Sequence, residues 1–112
     1  MYTKLKNEIL GKDYSLSIAF ISEHKSREIN KKYRKKDSPT NVLSFPFSKQ
    51  SGEILLCKAV MKKETKKFGK TFPEFLNFLV IHGMLHLKGL DHGKKMEKEE
   101  EKYLSRTKFF IK

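Results

Sequence analysis

A chain of 112 residues with 25 Lys and Arg against 13 Asp and Glu carries a formal charge of +12. Its one cysteine, Cys57, excludes an internal disulfide framework and suits a reducing compartment. The longest wholly apolar run near its histidines is FLVI, far short of the roughly 20 residues a membrane helix needs. MYTKLKNEIL has no signal-peptide hydrophobic stretch, so a single cytoplasmic domain over residues 1–112 is expected. The sequence pI of about 9.8 lies above the value of about 9 that flags nucleic-acid binding, because a basic surface gains free energy by displacing a polyanion's counterions.

Residues 3–10, TKLKNEIL, have the apolar spacing of a short helix closed by Gly11. Residues 14–21, YSLSIAFI, alternate and then turn wholly apolar, as a strand does. Ser22 can cap a helix over 23–36 whose apolar stripe is thin, Ile29 and Tyr33, and whose remainder is basic. Asp37-Ser38-Pro39 stops it. Residues 41–47, NVLSFPF, read as a strand, and Pro46 confines it to a sheet edge or a strand end. SKQSG (48–52) is a turn, EILLC (53–57) the returning strand, and 58–69 a basic helix ending at Gly69. Cys57 is read as a small buried hydrophobe.

TFPE (71–74) matches a capping box, with Pro73 tolerated in the first turn. The helix it opens, through Lys88, is apolar nearly all round from Phe75 to Ile81 and so belongs in the middle of the domain. GLDHG (89–93) breaks it, and 94–104 form a last, charged helix. The expected fold is α+β: a small mixed β-sheet packed by several helices around a central apolar helix that carries two metal-ligand histidines.

Those histidines are His82 and His86, four apart and therefore on one helical face, with His92 six residues further on. Gly89 lets the chain turn tightly and swing His92 back. Three neutral imidazoles hold a zinc ion and leave a fourth position open, the mark of a catalytic rather than a structural site. His24 is read as an ordinary surface residue. The position after His82, where a zinc peptidase has its glutamate, is Gly83. A bound zinc itself lowers the pKa of its water to about 7, and a phosphodiester gains more than a peptide from a dication held by neutral ligands. Gly83 therefore argues against a metallopeptidase and is compatible with a nuclease.

Read with INKKYRKKDSPTNVLSFPF (29–47), the stretch HGMLHLKGLDH (82–92) resembles the YbeY family of bacterial endoribonucleases and rRNA maturation factors. Asn30, Tyr33, Arg34, Lys36, Asp37, Pro39, Thr40 and Val42 to Pro46 carry the first half of the likeness. Gly52, Ile54, the histidine stretch, Met96 and Glu100 carry the rest. Asn41 and Glu53 depart from it, each standing where the pattern has aspartate.

The resemblance implies one Zn2+ per chain on His82, His86 and His92, with Arg34 beside the metal as a catalytic residue. It also implies cleavage of single-stranded RNA in maturation of the small-subunit rRNA 3′ end and in ribosome quality control. Its partners would be rRNA, the small ribosomal subunit and the subunit's assembly factors, with no membrane. Arg34 ends a helix crowded with Lys31, Lys32, Lys35 and Lys36; Arg34, Lys32, Lys35 and Lys36 are the candidate RNA contacts. Asp91 either orients an imidazole or caps the turn, and Met96 is read as core. A second reading is a non-catalytic RNA-binding assembly factor with a structural zinc.

Overall fold

A computed structural model describes residues 2–107. In chain order the elements are α1 (Thr3–Ile9), β1 (Ser15–Phe20), α2 (Glu23–Arg34), β2 (Val42–Ser48), β3 (Ser51–Leu56), α3 (Lys58–Phe68), α4 (Phe72–Leu87) and α5 (Lys94–Arg106). This is the α+β order expected, and the sheet is mixed. Strand β3 lies between β1, parallel to it with Ile18 opposite Ile54, and β2, antiparallel with Ser44 opposite Ile54. β2 is an edge strand, a position that accommodates Pro46 and its missing N–H.

The hairpin is tighter than its polar sequence suggests. β2 runs on to Ser48 and β3 starts at Ser51, leaving Lys49 and Gln50 as the turn. The two serine hydroxyls lie 2.8 Å apart, and the Gln50 N–H donates to Ser48 Oγ at 3.1 Å. Serines that look like loop residues thus close the ladder. A register shift between Pro46 and Ser48 leaves Phe47 unpaired and 66% exposed.

Helix α4 is the centre of the molecule. Thr71 Oγ1 accepts from the Glu74 N–H at 3.3 Å, and Glu74 Oε1 accepts from the Thr71 N–H at 3.1 Å, so the capping box forms as read. From there Phe75, Leu79, Val80, Ile81, Met84 and Leu85 enter one core with Leu5 and Ile9 of α1, Ile54 and Leu56 of β3, Met61 of α3, and Met96 and Tyr103 of α5. Burial of this apolar surface is the main stabilising term. Cys57 is buried, as expected.

Helix α2 differs from the expectation in two ways. Its buried residues are Ser26 and Asn30, not an apolar stripe; Tyr33 is 61% exposed. Ser26 Oγ donates to the Thr40 carbonyl at 2.8 Å and accepts the Thr40 N–H at 2.9 Å, while Asn30 Nδ2 donates to the Ser38 carbonyl at 2.8 Å. Polar side chains therefore staple the helix to the returning segment 37–40. The helix also stops at Arg34 rather than Lys36. Lys35 takes a left-handed φ of 58°, and the Lys36 N–H turns back to the Asn30 carbonyl at 3.4 Å. That reversal brings the chain back past Asn30 and Ser26.

Candidate metal centre

His82 and His86 occupy successive turns of α4, and the turn after the helix brings His92 to them. Gly89 has φ +106°, and its N–H closes on the His86 carbonyl at 2.9 Å. The three imidazoles have pairwise ring-centroid distances of 4.6, 5.2 and 4.9 Å. One nitrogen from each lies within 4.8 Å of the others, so the group could hold a metal ion. His82 and His86 are half-buried and His92 is exposed.

The hydrogen bonds around the rings fix which nitrogens face inward. His82 Nδ1 lies 2.7 Å from Glu100 Oε2, and His86 Nδ1 lies 3.0 Å from the Leu90 carbonyl. A carboxylate and a carbonyl are acceptors, so both Nδ1 atoms carry the proton and donate. Both Nε2 atoms are then lone pairs, and they face each other at 3.1 Å. Two such lone pairs repel unless a cation lies between them. Nitrogens bonded to one tetrahedral ion at about 2.0–2.1 Å stand about 3.3 Å apart. The donor set therefore fits a metal. Burial, and next the neighbouring His82, push the His86 pKa below its ordinary value of 6.5 against the opposing Leu90 bond, which favours the neutral form a ligand requires.

The histidines line a cleft of about 540 Å³ together with Arg34, Tyr33 and the β2 residues Val42 to Phe45. Arg34 thus lines the same cavity as the imidazoles, though far from them in sequence. No acidic side chain is among the described residues that line it. Of the candidate RNA contacts, Lys32 lines a neighbouring groove, while Lys35 and Lys36 are exposed past the end of α2 and line neither. Asp91 is exposed and makes no side-chain hydrogen bond among the described residues; Glu100 is the carboxylate on an imidazole. His24 is exposed and lies 3.6 Å from Glu28.

A family model described as Endoribonuclease YbeY matches residues 1–108. The chain belongs to the YbeY family. A relative named Endoribonuclease YbeY from Colwellia psychrerythraea is 43% identical, the match covering 73% of this chain and 57% of the relative. The Staphylococcus carnosus relative of the same name is 33% identical, over 95% of this chain and 76% of its own length. The chain thus spans little more than half of the first relative. A solution structure of a Thermotoga maritima protein superposes with a TM-score of 0.65 at 34% identity, covering 92% of this chain and 77% of that one.

Set against the YbeY pattern, the two departures lie in different places. Asn41 lines the histidine cleft, and its Nδ2 donates to Glu64 Oε1 at 2.8 Å. Glu53 lies outside that cleft and accepts from the Ser17 hydroxyl at 3.1 Å. Glu100 is the residue that sequence reasoning left without a role. The signal was available: Met96, Glu100 and Tyr103 form one buried stripe of α5, and an ionisable residue on a core stripe needs a partner. Gly83 has a structural reason. A Cβ there would lie 2.9 Å from Ile54 Cδ1 and 3.0 Å from Ser44 Oγ, so a peptidase-type glutamate has no room against the sheet.

Proposed function

We propose that this chain is a zinc-dependent endoribonuclease that cuts single-stranded RNA, acting on the small-subunit rRNA 3′ end and in ribosome quality control. The observation that carries the reading is one cleft, with no acidic residue among the described residues that line it, onto which three imidazoles and Arg34 open. Residues 1–112 are taken as one domain, and the cytoplasm as its compartment. The absence of a membrane-length apolar helix among the described residues fits that assignment.

His82, His86 and His92 are the proposed ligands, with Glu100 and the Leu90 carbonyl orienting two of the rings. Zinc bound there would supply Lewis-acid stabilisation of phosphoryl charge and a water of lowered pKa. Arg34 holds a phosphate oxygen with its planar fork and stabilises charge that builds up during cleavage. Lys32, Lys35 and Lys36 attract the RNA backbone along the end of α2. The partners are then single-stranded RNA, rRNA, the small subunit and its assembly factors.

One observation favours a second reading. With no carboxylate among the described residues that line the cleft, and Asn41 held by Glu64, those residues offer no carboxylate as a general base. A non-catalytic RNA-binding assembly factor with a structural zinc would need none. One experiment separates the two. Wild type and His92→Ala are incubated with end-labelled RNA covering the small-subunit rRNA 3′ end, with chelator and zinc add-back arms. Cleavage by wild type alone, lost with chelator and restored by zinc, supports the nuclease. Binding without cleavage by wild type moves the assignment to the assembly factor. Equal cleavage by both proteins identifies a contaminant and removes support for catalysis at these histidines.

A further inference from the structure

A second groove of about 450 Å³ adjoins the histidine cleft, with Tyr33 and Phe45 lining both. It contains Phe47, 66% exposed, and Tyr33, 61% exposed. These are two of the four large hydrophobic side chains that stand out into solvent among the described residues. Each is placed by a specific feature of the chain. The register shift after Pro46 takes Phe47 out of the β-ladder. Tyr33 sits in the last turn of α2, its ring edge-on to Phe45 at 5.4 Å between centroids, with Lys32 Nζ 5.4 Å from its centroid. The volume lies within the range of about 300–1,000 Å³ of small-molecule sites.

The charges of the two cavities differ. The histidine cleft has Arg34 and no acidic side chain among the described residues lining it. The groove has Lys25 and Lys32 but also Glu28 and Glu53. Both carboxylates are engaged: Glu28 Oε1 lies 3.6 Å from Lys25 Nζ, and Glu53 accepts from Ser17. A phosphate suits the first cavity, and a neutral, flat, partly polar group suits the second. Single-stranded RNA offers both groups one after the other, and its unpaired bases stack on exposed aromatic rings.

We propose that this groove is a nucleobase-stacking subsite, with Phe47 and Tyr33 as its platforms, for a nucleotide flanking the phosphate held in the histidine cleft. The proposal rests on the single-stranded-RNA reading and deepens it. It makes recognition of single strands a property of the β2 bulge, since a base inside a duplex cannot be offered to the rings.

The test is equilibrium binding of the full chain to fluorescent single-stranded oligoribonucleotides in chelator, where cleavage does not intervene. Phe47 is the residue to change, because it is well exposed and lies outside the histidine cleft. Phe47→Ala is expected to weaken binding about 5- to 100-fold, the range of one lost base stack, while Phe47→Tyr binds like wild type. An abasic step walked along the oligomer is expected to weaken wild type at one or two positions and to have no effect there in Phe47→Ala. The slope of log Kd against log salt stays unchanged, since no phosphate contact is lost.

Unchanged RNA binding by Phe47→Ala, or an equal loss on an oligomer abasic throughout, overturns the subsite. If wild type binds and cleaves RNA in either of those cases, only the groove assignment falls and a protein partner becomes the better occupant. If wild type binds no single-stranded RNA, the proposed function falls with it. Matching thermal unfolding of Phe47→Ala and Phe47→Tyr checks that the variants are folded.

Discussion

A β-carbon on Gly83 would meet Ile54 Cδ1 at 2.9 Å and Cγ1 at 3.1 Å, and Ile54 is fully buried in the core. Two effects oppose each other in Gly83→Ala. Alanine gains about 1 kcal/mol of helix propensity, while overpacking costs about 1–3 kcal/mol. Enclosure of Ile54 in a packed core makes overpacking the larger, so a net loss of about 1 kcal/mol is expected. It would appear as a lower urea midpoint at unchanged slope. Glu100 would act at the same scale on a bound metal. Its Oε2 accepts a hydrogen bond from the His82 Nδ1–H at 2.7 Å and so points Nε2 into the cluster. Glu100→Ala is expected to lower zinc affinity about 10- to 100-fold, and Glu100→Gln, which keeps an acceptor oxygen, by less. Competition against a chromophoric chelator measures both.

At the scale of elements, the start of α4 carries its own pH signature. Hydrogen bonds from the Thr71 hydroxyl and backbone N–H hold the Glu74 carboxyl below its ordinary value of 4.5. A depressed folded-state pKa means that the folded chain binds fewer protons than the unfolded one. The stability gained is therefore present above about pH 4.5 and lost as pH falls through the native value. Thr71→Ala is expected to cost about 1 kcal/mol at neutral pH through the lost cap, with the deficit shrinking in acid. Thermal unfolding of both proteins at pH 7 and pH 3 tests this. The capping box was legible because all its partners lie within four residues. The docking of α2 was not, because Ser26 and Asn30 look like solvent-facing polar residues until Thr40 and Ser38 come back beside them.

For the whole molecule, a metal at the histidines would tie α4 to the turn at 89–93 and, through Glu100, to α5. Metal that binds the folded state stabilises it by about 2.7 kcal/mol at a free concentration 100 times its Kd. For a chain of this size that is roughly 10 °C in Tm. Zinc is therefore expected to raise the Tm, chelator to remove the gain, and His92→Ala to abolish most of it. Scanning calorimetry with and without chelator decides the matter.

The sequence by itself determined the element order, the buried α4 and the histidine set, and it narrowed β2 to a sheet edge or a strand end. Each rests on short-range rules: periodicity, a proline in a strand, a capping box, and histidines four residues apart on one helix. Helix α2 and the hairpin were legible in existence but not in their ends, since a lysine in the left-handed region and serines that close a ladder run against the usual behaviour of those residue types. Only the tertiary structure brought Glu100 to His82, and Phe47 and Tyr33 to one groove, whereas a place for Arg34 near the histidines was already implied by the family resemblance. These residues come from separate elements, and their meeting depends on how the sheet and helices pack. The chain's local pattern does not encode that packing.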